Sequence, residues 1–162
     1  MLDTKIEQLN SPESRLENLG IQLPAPPTPF GSYVEALQTG NLLFLSGMLP
    51  VIDHKPASVG RIGRELDAIA GREAARTAAL STLAAVKNHL GSLDRVKRVV
   101  RLGIFIATWG DFIDLPGVAD AASDLFRDVF GSENMAVRSV IGVASLPLGV
   151  PIELEVTFEL KE

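Results

Sequence analysis

The segment Ile152 to Leu160 sets Ile152, Leu154, Val156, Phe158 and Leu160 in strict alternation with Glu153, Glu155, Thr157 and Glu159. A period of two sends the five apolar side chains to one side of an extended strand and the polar ones to the other. A helix would scatter both sets around its circumference. The chain must therefore build a sheet with one face on a core, and the remaining sequence must cover that face.

Asp67 to Leu90 provides a cover. It is rich in alanine, and Ala75, Ala79, Leu83, Val86 and Leu90 recur at helical spacing. Small residues on such a stripe let a helix lie close to a sheet, and Gly91 is the predicted stop. A second helical stretch is expected from about Asp111 to Phe130, interrupted at Pro116-Gly117 and ended by Gly131. Ala121, Leu125 and Phe126 form its buried side. Asp120, Asp124 and Asp128 form an acidic, solvated row at i, i+4 spacing. Between the two helices, "RVKRVVRLGIFIAT" reads as a strand. Simple alternation puts Val96, Val100, Leu102, Ile104 and Ile106 on one face and Arg95, Lys97 and Arg101 on the other. That basic row is expected to pair with glutamates of the neighbouring strand.

Before the first long helix, "YVEALQTG" and "NLLFLSGMLP" are two strand-like runs around a Thr39-Gly40-Asn41 turn. Residues 51 to 66 read as a glycine-rich, polar loop. After the second helix, "VRSVIGV" and the final strand are joined by a Leu-Pro-Leu-Gly-Val-Pro corner. The order is β-β-α-β-α-β-β. It predicts an α+β two-layer domain, a mostly antiparallel sheet with two main helices on one face. Tyr33, Phe105, Ile141 and Val143 fall on the other face, a candidate wall against further subunits. Upstream, residues 3 to 20 predict a short helix or two, with Ser11 as N-cap, Pro12 at the first position and Leu16 and Leu19 on the apolar side. "LPAPPTPFGS" is an extended connector. Residues 1–29 thus read as an extension, with residues 3–22 packed on the outside of the assembly, and 30–162 as one domain.

Composition narrows the chemistry. The chain has 162 residues, no cysteine, two histidines and a net charge of −5. Disulfides, thiolate nucleophiles and cysteine-bound zinc are excluded, and a reducing, cytoplasmic setting is expected. The acidic balance argues against a nucleic-acid partner. No apolar run approaches the ~20 residues of a membrane span. His54 and His89 lie in different elements, so no metal site is expected. "VGRIGREL" lacks the spacing of a phosphate loop, and Ser46-Gly47 lacks the surroundings of a serine nucleophile. Arg138 and Glu153 remain, at the starts of the last two strands. On spacing alone they are either ordinary surface charges or halves of a site.

Three stretches decide between these readings by resemblance: "GSYVEA" (31–36), "LFLSGMLPV" (43–51) and "VRSVIGVASLPLGVPIELEV" (137–156). Together they resemble the RidA/YjgF family, also labelled L-PSP endoribonuclease-like, in a subgroup with a longer N-terminus. The resemblance implies a chorismate-mutase-like fold and a homotrimer with clefts between subunits. It implies hydrolysis of enamine or imine intermediates such as 2-aminoacrylate to 2-oxo acids and ammonia, without a cofactor. By position, Arg138 would anchor the substrate carboxylate and Glu153 would position water. Tyr33, Ser46 and Gly47 would line the same cleft, whose ligand is a small imino or 2-oxo acid. Met48, Val140 and Gly142 depart from the family pattern and imply an altered pocket. Two other functions stay open: an endoribonuclease or translation-inhibitor activity, and a regulatory trimer that binds small carboxylates without turnover.

Overall fold

The computed structural model describes residues 10–162. Its final strand, β7 (Ile152–Leu160), lies inside a five-stranded sheet. β1 (Ala36–Thr39) and β2 (Leu42–Leu45) form a hairpin in which β2 pairs antiparallel with β7. On the other side β7 pairs antiparallel with β5 (Val96–Ala107), which pairs in parallel with β6 (Val137–Val143) at the edge. The order is β1-β2-β7-β5-β6, with one parallel ladder among antiparallel ones. Gly40 opens the hairpin turn at φ +58, a conformation that costs glycine no steric penalty.

The five alternating apolar residues of β7 are all buried. α2 (Ala68–Leu90) and α3 (Leu115–Phe130) lie against them and against each other. Asp67 caps α2 by accepting from the Ala70 N–H at 2.8 Å, and Gly91 ends it at φ +82. The two-layer α+β architecture is the expected one. Residues 51–66, read as loop, hold a two-residue ribbon of β3 (Val51–Ile52) and β4 (Lys55–Pro56). Its turn residues Asp53 and His54 both take positive φ.

Two local expectations need correction. Pro116 does not interrupt the second helix. It sits in the first turn of α3 behind the Asp114 cap, where a proline has no hydrogen bond to lose. The alternation along β5 also fails. Opposite β7 the register slips between Val96 and Arg98 and again between Val99 and Arg101. Each slip is a bulge that adds one residue. Val99 is therefore buried, whereas Val100 is only partly so. Lys97 and Arg98 both turn to Glu159, at 2.9 and 3.1 Å. Lys97, by hydrogen bonding, holds the Glu159 carboxyl below its ordinary value. Arg95 instead donates to the Leu90 carbonyl.

The N-terminal segment is tied to the body. The part of its helical stretch that covers residues 3–9 lies outside the described residues. α1 (Pro12–Asn18) buries Leu16 in the core. The Glu13 carboxylate accepts from the Leu93 N–H at 2.9 Å and from Lys87 at 2.6 Å, and the Glu13 N–H donates to Asp94. Leu16→Ala is expected to destabilise the fold by about 2–4 kcal/mol, as truncation of a buried leucine does. Chemical denaturation checks it; a loss under about 0.5 kcal/mol would show that α1 is not part of the core.

Candidate active site

Glu153 opens β7 on the face turned away from the helices, opposite Phe105. Beside it the β2 chain is bulged. Phe44 pairs with Thr157 and Met48 bridges to Leu154, so three intervening residues span two on β7. The bulge seats Gly47 directly against the carboxylate. A Cβ on Gly47 would land on Oε1 of Glu153, so any other residue there displaces the acid. Met48, the family departure noted above, turns the other way and is buried in the core.

Tyr33, Ser46, Gly47 and Glu153 line one cavity of about 490 Å³. Four residues on three separate segments converge there. Ser46 Oγ donates to the Val34 carbonyl at 2.6 Å, and the Tyr33 hydroxyl accepts from the Phe30 N–H at 2.9 Å. Both hydroxyls are thereby held in place. Among the described residues the Glu153 carboxylate makes no hydrogen bond. Burial pushes its carboxyl above the ordinary 4.5, and the nearby Glu155 charge adds to the rise. A half-buried, unpartnered carboxylate in a cavity is suited to take a proton from water.

Arg138 lies elsewhere. It pairs with Leu102 in the β5–β6 ladder, and Leu102 pairs with buried Val156. Its side chain is therefore on the helix face, opposite to Glu153. Nη1 donates to Asp120 Oδ1 at 2.7 Å and to Ser123 Oγ at 3.0 Å, both on α3. Among the described residues Nε and Nη2 have no partner. The acidic row is thus divided: Asp120 holds Arg138, while Asp124 and Asp128 pair with Arg127. Two strands and three residues separate Arg138 from Glu153 within one chain, roughly 10 Å across and 10 Å along the sheet.

The rest of the cavity wall was not legible as a site. Phe30, Leu49, Pro147 and Leu148 complete it. Phe30 ends the proline-rich connector, and its ring stacks on His54 at 4.1 Å and 8°. Pro147 and Leu148 belong to the corner between β6 and β7. Leu148 has φ 58 and ψ 9, a left-handed conformation that costs a leucine on the order of 1–3 kcal/mol. The proline-rich corner was a visible signal; the strain at Leu148 was not. No cluster of three or more metal-ligating side chains occurs among the described residues.

Residues 13–157 match a family described as "YjgF/chorismate_mutase-like, putative endoribonuclease". The chain belongs to this family. Among its YjgF/RidA relatives, Protein TCP17 of Trypanosoma cruzi is 40% identical over 148 residues, covering 91% of this chain and 92% of that one. A 2-iminobutanoate/2-iminopropanoate deaminase of Dermatophagoides farinae is 31% identical over 137 residues, covering 83% and 91%. The crystal structure of protein Atu1372 from Agrobacterium tumefaciens superposes with a TM-score of 0.84 at 35% identity, covering 93% and 92%. The YjgF/chorismate-mutase-like fold expected from the sequence is the one observed.

The raised carboxyl ties stability to pH. The folded pKa of Glu153 lies above the unfolded one, so the folded state holds that proton more tightly. This contribution is complete below the ordinary value of 4.5 and is lost as pH rises through the folded value. Glu153→Gln, neutral throughout, is expected to raise the urea midpoint near neutral pH and to leave it unchanged at acidic pH. Equal midpoints at neutral pH would show that the carboxylate is not held in this cavity.

Proposed function

We propose that this chain is a cytoplasmic, cofactor-independent hydrolase of 2-imino acids, and of the enamines that tautomerise to them, yielding 2-oxo acids and ammonia. The observation that carries the reading is the unpartnered Glu153 carboxylate, raised by burial and seated on Gly47 in a cavity. A relative named as an imine deaminase supports it.

The chemistry needs little. A protonated imine carbon is already electrophilic. Glu153 accepts a proton from water as the water oxygen bonds to that carbon. The resulting carbinolamine takes the proton on nitrogen, the C–N bond breaks and ammonia leaves. The hydroxyl proton is released as the 2-oxo group forms. A positioned acid/base supplies roughly 10²–10⁴-fold. Arg138 grips the substrate carboxylate through its free Nε/Nη2 edge, while Asp120 and Ser123 fix the guanidinium plane through Nη1.

Within one chain no small acid reaches both groups, so the site is completed by a second copy. The open sheet face supports this reading. Leu37, Phe44, Val137 and Ile141 all lie on it, and Val137 is 73% exposed. Apolar side chains in that number on one face call for a cover. A homotrimer, in which the edge carrying Arg138 meets the Glu153 cavity of the next copy, supplies one.

The test is a coupled assay that generates 2-aminoacrylate and follows its clearance. Arg138→Ala is expected to lower kcat/KM by about 10–100-fold, the worth of a charge-assisted bond, and Glu153→Gln by about 100-fold or more. Arg138→Lys keeps the charge without the fork and should fall between. Clearance by wild type at the spontaneous rate would contradict the proposal. Tight binding of a 2-oxo acid with no turnover would instead identify a carboxylate-sensing trimer. RNA cleavage abolished by Glu153→Gln would favour the endoribonuclease reading.

A further inference from the structure

We infer that the preferred substrate carries a branched aliphatic or aromatic side chain, and that Phe30 and Leu148 select it. The inference rests on the hydrolase reading and adds the substrate class. It starts from the balance of groups in the cavity. Ser46 gives its proton to the Val34 carbonyl and Tyr33 accepts from the Phe30 N–H, which leaves the Glu153 carboxylate, the Tyr33 O–H and the Ser46 oxygen as the polar side-chain capacity of this chain. Phe30, Leu49, Pro147 and Leu148 make the remainder apolar. A three-carbon imino acid has only a methyl or methylene group to lay against these four residues.

Two features show that the apolar wall is built. Phe30 is held by its face-to-face stack on His54, and His54 is itself fixed by a 3.0 Å hydrogen bond between Nδ1 and Thr28 Oγ1. Leu148 is held in a left-handed backbone conformation that glycine would adopt freely, and its side chain stays 48% exposed. Neither side chain joins the hydrophobic core. An apolar substrate side chain laid against them removes both surfaces from water, and the gain appears in kcat/KM.

The experiment compares imines generated in situ by an amino-acid oxidase from alanine, leucine and phenylalanine, with wild type and with Leu148→Gly. Glycine suits the backbone at this position, so folding is preserved; Phe30→Ala serves as a second variant. The leucine- or phenylalanine-derived imine is expected to be hydrolysed with a kcat/KM at least about tenfold above the alanine-derived one. Leu148→Gly and Phe30→Ala are each expected to shrink that ratio to below about threefold. A wild-type ratio at or below one, or a ratio that neither variant changes, overturns the inference and leaves the hydrolase reading standing. Failure on every imine would sink the hydrolase reading itself. Calorimetry then decides the wall separately: 4-methyl-2-oxopentanoate must bind at least about tenfold tighter than pyruvate, and equal affinities overturn the inference.

Discussion

β7 is buried on one side by α2 and α3, and its polar side faces away from them. That single burial fixes the register of every neighbouring strand, because a one-residue slip would turn Phe158 and Leu154 out and Glu153 and Glu155 in. It also fixes the chemistry. Glu153 is held on the open face at the β2 side, and its ladder partners place Phe105 and Ile141 beside it. The bulge in β2 lets Gly47 meet the carboxylate. The glutamate is half-buried as a consequence, and the unfavourable desolvation of its charge is what makes it a better proton acceptor. In the proposed role, stability and function pull in opposite directions at this position.

The same geometry separates the two charges that the proposed reaction needs. Arg138 is on the helix face of the edge strand β6, and Glu153 is on the open face two strands away. A chain that kept both for one reaction must bring them together between copies. Four of its exposed apolar residues, Leu37, Phe44, Val137 and Ile141, share the open face where a copy would pack. The Asp120–Arg138 pair does not oppose this role. It engages one nitrogen of the guanidinium and leaves the other edge for a carboxylate.

Much of this was legible in the sequence, and for identifiable reasons. β7 and α2 announce themselves because their patterns are long and local: a period of two in one, an alanine stripe with an aspartate cap and a glycine stop in the other. The convergence of Tyr33, Ser46, Gly47 and Glu153 followed from family motifs. What escaped was non-local. The bulges of β5 exist only in its pairing with β7, so no count along β5 alone reveals that Val99 replaces Val100 in the core. Pro116 looked like a break because its place relative to the Asp114 cap is set by where the helix docks. Phe30 and Leu148 enter the cavity through a ring stack and a strained turn, neither of which leaves a period in the sequence. Asp120 reads as solvent-facing along its helix because its partner, Arg138, lies 18 residues away on a strand.

The most direct test of the account is complementation between two crippled chains. Arg138→Ala and Glu153→Gln proteins, each strongly impaired alone, are unfolded together and refolded as a mixture. A site built from Arg138 of one copy and Glu153 of the next is intact in about one quarter of the positions of a random trimer, so the mixture should recover about a quarter of wild-type imine hydrolysis. A refolded mixture no more active than its two components, with mixed oligomers verified by mass, would contradict a shared site.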